Sequence, residues 1–215
     1  DLKRPEARAA LQALIATADV FMHSMRPQKL ASLGVDPETL RARHPRLVYA
    51  SLLGFLPGPY AGRPAYDDVI QGMSGLTDLM EQQGGEARYL PTIAADKTCA
   101  HVAAHAILAA LWQRERTGQG AFVEVPMFES MVGFNLVEHF YGQHFEPPRS
   151  APGYPRVLAP WRRPYHTADG LVAMMPYTNL HWQRFFAEVG APQHADDPRF
   201  SDIASRTAHI AELLE

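Results

Sequence analysis

A chain of 215 residues, 47% hydrophobic and 20% charged, is long enough to bury a substantial core and too apolar to be disordered or fibrous. Its formal charge of -3 offers no basic field to a polyanion, which argues against a nucleic-acid partner. No apolar run reaches the roughly 18 to 20 residues that cross a bilayer, and no charged start leads into a short apolar block, so neither membrane insertion nor a secretion signal is expected.

The sequence opens on Asp1 rather than methionine and closes at 213–215 inside a helical pattern, which predicts a piece of a longer protein. A run of Ala, Leu and Arg over residues 5–18, with Pro5 in its first turn, predicts an amphipathic helix. Short apolar blocks at 19–22 and 47–53 predict strands, and helical turns over 27–33 and 37–43 lie between them. Strand, helix and strand in succession predict a parallel sheet and an α/β fold.

Residues 54–64 are dense in Gly and Pro and read as a loop, 66–80 return to helical spacing, and 82–91 form another loop. The Ala-rich stretch 97–116 predicts a helix that Thr117-Gly118-Gln119-Gly120 stops before a strand at 122–125. A further helix is expected over 128–141. The proline-dense residues 145–166 read as an extended linker that separates a large domain, 1–144, from the start of a second domain, 167–215. Within that second domain, 167–170 predict a turn, 171–175 a strand and 179–189 a helix.

Chemistry concentrates at Asp96, at the junction between the second loop and the Ala-rich helix. Unpaired backbone N–H groups and the helix dipole favour a negative charge there, so the position predicts an ionised carboxylate able to attack an activated carbonyl. The competing role is an ordinary N-cap. His101 and His105, four residues apart on one helical face, allow a metal-hydrolase reading, although the glutamate of an H-E-x-x-H pattern is absent. The single cysteine, Cys99, cannot form an intrachain disulfide, which points to a reducing compartment and hence the cytoplasm. As a lone thiol it reads as a small buried hydrophobe rather than a nucleophile.

Three separated segments carry a family resemblance. Residues 64–75, from Pro64-Ala65-Tyr66-Asp67-Asp68 through Gln71 to Ser74-Gly75, resemble the Y-D-x-x-x-Q-A-x-S-G segment of the family III CoA-transferases. Ile93-Ala94-Ala95-Asp96 resembles the segment that ends in their catalytic aspartate, and LWQRERTGQGAFVEV over 111–125 is similar to their helix-turn-strand signature. Upstream, Arg26-Pro27, Leu33-Gly34 and His44-Pro45-Arg46-Leu47-Val48-Tyr49 are similar to a further family stretch, and the resemblance runs from Asp1 to Glu215.

The resemblance implies a Rossmann-like large domain with a parallel sheet, a smaller α+β domain, and two chains interlocked as a homodimer. It implies that coenzyme A moves from an acyl-CoA donor to a carboxylic acid acceptor, with CoA as substrate and no tightly bound cofactor or metal. Asp96 takes the nucleophile's role, passing through an aspartyl anhydride and an aspartyl-CoA thioester. Lys3, Ser24, Met25, Arg26, Arg63, Ala65, Tyr66 and Asp67 match CoA-contacting positions, and the cations among them suit phosphates. The chain departs from the family where Ser24-Met25 replaces Asn-Phe, and where residues 155–165 replace a glycine-rich loop. In that replacement Arg156, Arg162 and Arg163 are candidates for an acceptor carboxylate.

The 2-methylacyl-CoA racemases of the same family are the nearest rival, but their histidine base falls at Tyr66. A tyrosine, ordinarily titrating near pH 10, is a poor base at neutral pH. A non-enzymatic binding or assembly module is the remaining alternative.

Overall fold

The computed structural model describes residues 1–214, so Glu215, the end of the expected second domain, lies outside the described residues. The chain divides into two compact units, Asp1–Tyr154 and Pro155 onward. The proline-dense stretch is thereby shared between them. Its first half folds back on the first unit, with the Gly153 N–H donating to the His139 carbonyl, and its second half opens the next unit.

In the first unit, α1 (Pro5–Thr17) leads to β1 (Val20–His23), α2 (Pro27–Leu33) and α3 (Pro37–Arg43), then β2 (Val48–Leu53). Proline occupies the first turn of all three helices, where its missing N–H costs nothing, and Asp36 caps α3 by accepting from the Thr39 N–H at 2.8 Å. Next come α4 (Asp67–Met73), α5 (Leu76–Gln82), α6 (Ala94–Thr117), β3 (Phe122–Pro126) and α7 (Met127–His139), the last followed by a 3-10 turn at Tyr141–His144. The single helix expected over 66–80 is two. Gly75, at φ +87°, turns the chain, and the Asn135 amide of α7 donates to the Ser74 carbonyl and hydroxyl at 3.2 and 3.1 Å.

The three strands pair in parallel in the order β1-β2-β3, with Val20 beside Val48 and Tyr49 beside Phe122. Successive residues of a strand face opposite sides, and the two sides of β2 bury different partners. Tyr49 packs with Ile15, Leu30, Val35 and Leu40 of the first helices and their loops, while Leu52 packs with Cys99 and Ala103 of α6 and Val125 of β3. Helices on both faces of a parallel sheet make this an α/β unit.

The second unit holds α8 (Pro155–Leu158), the hairpin strands β4 (Tyr165–His166) and β5 (Leu171–Val172), α9 (Asn179–Glu188), a 3-10 turn at Pro192–Asp196, α10 (Ile203–Ala208) and α11 (Ile210–Leu214). The strand expected over 171–175 stops at Val172. Its partner begins at Tyr165, directly after Pro164, and proline has no N–H to carry the ladder further. Trp182, Phe186 and Phe200 form this unit's core. The buried Arg206 donates to the Phe200 carbonyl and the Asn179 side chain, at 2.7 and 2.6 Å.

Candidate active site

All three parallel strands run the same way, so their carboxyl ends open on one edge, where open α/β sheets receive ligands. A cavity of about 550 Å³ lies there. It is lined by Ser24, Met25 and Arg26 after β1, by Leu52 to Phe55 at the end of β2, by Arg63, Ala65 and Tyr66 before α4, and by Glu124 of β3. Six of the positions expected to meet CoA are thus brought together by the fold. Tyr66 is 70% exposed and is therefore not a core aromatic. Arg63 stacks over the Tyr60 ring at 4.9 Å. Lys3 is exposed and does not line this cavity, and neither does Asp67, which is buried.

The loop that carries Ser24 and Met25 is held by His23, a residue that sequence reasoning passed over. His23 is buried, its Nδ1 accepts from the Met25 N–H at 3.1 Å, and its Nε2 lies 2.8 Å from the Tyr49 hydroxyl. Tyr49 in turn donates to the Val35 carbonyl at 2.7 Å. Since Nδ1 accepts, the proton of the neutral ring belongs on Nε2. Burial holds the imidazole below its ordinary value, and burial with the Asp36 charge pushes the Tyr49 phenol up to about 12. The only signal in the sequence was adjacency to Ser24-Met25-Arg26.

Asp96 is the third residue of α6, and Ile93 occupies the cap position. The cap itself comes from α4. One carboxylate oxygen of Asp67, Oδ1, accepts from the N–H groups of Ala95 and Asp96 at 2.8 and 3.0 Å. Asp96's own carboxylate accepts no hydrogen bond among the described residues. The helix N–H groups expected to favour its charge are therefore not free to do so. Those donors are already taken, and desolvation together with the Asp67 charge raises the Asp96 carboxyl above its ordinary range. Cys99, one turn on, is buried, and burial and the Asp96 charge both push its thiol up. His101 and His105 lie exposed on α6, and the described residues contain no group of three or more His, Cys, Asp or Glu able to hold a metal ion.

Arg156, Arg162 and Arg163 belong to the second unit. There they line a cavity of about 380 Å³ with Trp161, Met175 and Trp182, and Arg156 lies over the Tyr177 ring at 4.7 Å.

A parallel sheet with helices on both faces and a crevice at its carboxyl edge defines an α/β protein with a cavity where such sheets receive ligands. The chain belongs to the CoA-transferase family III, whose family model matches residues 1–215. It is 33% identical to the probable fatty acyl-CoA transferase Rv3272 of Mycobacterium tuberculosis, across 99% of this chain and 57% of that protein. It is 31% identical to a succinate–glutarate CoA-transferase of Agrobacterium fabrum, across 100% of this chain and 54% of that one. A crystal structure of Rv3272 superposes with a TM-score of 0.84 at 32% identity, and a CaiB/BaiF family protein from Brucella suis with 0.78 at 30%. Each superposition covers 100% of this chain and 57% of the solved one. The chain spans about half the length of the curated relatives it matches.

Proposed function

We propose that the protein transfers coenzyme A from an acyl-CoA to a carboxylic acid, with Asp96 as the covalent nucleophile. The observation that carries the reading is the carboxyl-edge cavity, in which Arg26, Arg63 and Tyr66 converge while Asp67, next in sequence to Tyr66, is bonded to the backbone of Asp96. Two guanidinium groups suit CoA phosphates through charge-assisted hydrogen bonds.

In the first step a carboxylate oxygen of Asp96 attacks the thioester carbonyl carbon. The carbon–sulfur bond breaks, CoA leaves as thiolate, and a mixed anhydride forms. The thiolate then attacks the Asp96 carbonyl carbon, expelling the donor's carboxylate and leaving an aspartyl-CoA thioester. The acceptor carboxylate attacks that carbonyl, releasing CoA thiolate into a second anhydride. Thiolate attack on the acceptor's acyl carbon yields the new acyl-CoA and restores Asp96. No net proton or electron is required. Arg156, Arg162 and Arg163 are assigned to the acceptor's carboxylate, two chains are assigned to an interlocked dimer, and the reduced buried thiol suits the cytoplasm.

The decisive experiment incubates full-length protein with a panel of acyl-CoA thioesters and carboxylates in the presence of hydroxylamine. Peptide mass mapping should find a hydroxamate at Asp96, and Asp96→Asn should abolish both label and transfer. Transfer without label at Asp96 would remove the nucleophile. Arginine-to-alanine changes at 156, 162 and 163 that leave the acceptor's KM unchanged would remove that assignment alone. Racemisation is the weaker reading because Tyr66 stands where the racemases have their histidine; exchange of the α-proton without acyl transfer would reverse the order.

A further inference from the structure

We infer that Asp67 and Gln71 are positioning residues for the acyl-transfer step: as a pair they clamp the first turn of α6 and take up its backbone donors, leaving the Asp96 carboxylate unpaired. The inference rests on the reading of Asp96 as nucleophile and adds to it the device that makes an aspartate at a helix start reactive.

Both residues lie on α4, four apart and hence on the same helical face. Gln71 is fully buried, and its amide is saturated in a way that fixes its orientation. Nε2 donates to Asp67 Oδ2 at 2.5 Å and to the Thr92 carbonyl at 3.1 Å, while Oε1 accepts from the Leu90 N–H at 2.9 Å. Flipping the amide would set donors against the Leu90 N–H and an oxygen against the Thr92 carbonyl, so only one orientation fits. Asp67, its carboxylate held by that amide, reaches the Ala95 and Asp96 N–H groups through Oδ1. The Ala94 N–H is taken by the Thr92 carbonyl at 2.8 Å. One pair of side chains therefore fixes both the loop before α6 and its first turn.

The chemical consequence follows from competition for donors. A carboxylate that accepts two or three backbone N–H bonds is strongly stabilised as the anion and loses basicity. An aspartate in a helix's first turn would ordinarily meet such donors, but Asp67 occupies them and adds a negative charge beside Asp96. A more basic oxyanion is the better nucleophile in a Brønsted sense. The upward displacement of the Asp96 carboxyl, to which the Asp67 charge contributes, agrees with this. Gln71 has no charge to contribute, so its part is geometric.

The division of labour makes the test specific. In full-length protein, single-turnover hydroxamate formation at Asp96 is followed against pH, with acetyl-CoA and succinyl-CoA as probes, for wild type, Asp67→Asn, Asp67→Ala and Gln71→Met. Asp67→Asn should lower the pH at which labelling is half-maximal, because the like charge is gone, and should slow labelling at neutral pH. Asp67→Ala should lose roughly 10²-fold in rate, the scale of a misplaced reacting group, with the half-saturating acyl-CoA concentration changed less than about threefold. Gln71→Met should slow labelling while leaving the pH midpoint in place. A merely structural clamp would move neither midpoint, so an Asp67→Asn profile that coincides with wild type overturns the inference. A loss confined to half-saturation also overturns it, since Asp67 would then be a CoA contact. If Asp67→Asn does not fold, Gln71→Met decides alone, and a rate within about threefold of wild type overturns the clamp. Wild type that transfers CoA without label at Asp96 brings down the nucleophile reading itself, which is a different result from wild type that labels and variants that label equally well.

Discussion

The cavity loop depends on a short buried relay, Met25 N–H to His23 Nδ1, His23 Nε2 to Tyr49, Tyr49 to the Val35 carbonyl. Tyr49→Phe removes the hydroxyl and strands a buried N–H and a buried carbonyl together. Each unsatisfied group costs about 1 to 3 kcal/mol, so the denaturation midpoint should fall by that order in chemical unfolding. The relay also needs a neutral imidazole, because a proton on Nδ1 would face the Met25 N–H. His23 is held below its ordinary value of 6.5 by burial, so the unfolded chain takes up the proton first. Its contribution to stability is present above that ordinary value and is lost as pH falls through the lowered one. Unfolding midpoints measured from about pH 8 to about pH 5 should fall more steeply for wild type than for His23→Gln, and parallel curves would refute the relay. At this scale the sequence was readable where local order carried the signal, as in the placement of Asp96 in the first turn of α6 and of Arg26 and Tyr66 at the carboxyl-edge cavity. It was unreadable where two residues far apart share one bond. Nothing in the residues just before α6 discloses that its cap sits 28 positions upstream at Asp67.

Elements were legible wherever their ends are written in local chemistry. Pro27 and Pro37 open helices, Gly118 closes α6 in the left-handed region at φ +71°, and Gly120 follows where the chain must pass the turn before β2. Gly120 donates its N–H to the Pro45 carbonyl at 2.7 Å, and a Cβ there would collide with the backbone carbonyl of Leu47. Gly120→Ala should therefore destabilise the unit by about 3 kcal/mol, the upper end of overpacking costs, because the clash is with backbone and not with a side chain that can swing away. A denaturation midpoint within error of wild type would show that the turn can open without cost. The break between α4 and α5 was missed for a converse reason. Ile70, Met73, Leu76, Leu79 and Met80 keep helical spacing across Ser74-Gly75, so periodicity masked the turn signal. The amide that stabilises the break, Asn135, lies on α7, 61 residues from Ser74.

At the scale of the molecule, α6 raises a question of cover. Between residues 100 and 112 only His101 and His105 are polar, and a helix that is apolar all round is ordinarily buried. Yet Leu108 and Trp112 are 63% and 65% exposed, and Phe134 and Val137 of the adjoining α7 are likewise open to solvent. The chain spans about half the length of its curated relatives, so the candidates for cover are polypeptide outside residues 1–215 and a second copy. The proposed interlocked dimer favours the second copy. Burying a large apolar side chain contributes about 1.5 to 3 kcal/mol, so Leu108→Glu with Trp112→Glu should weaken self-association of the full-length protein by roughly 10² to 10⁴. Sedimentation across a concentration series reads this directly, and the expected result is a dimer for wild type and a folded monomer for the double variant at the same concentration. A variant that stays dimeric while its denaturation midpoint drops would assign the cover to polypeptide outside residues 1–215. That result would not bear on the Asp96 assignment, since Leu108 and Trp112 lie 12 and 16 residues further along α6.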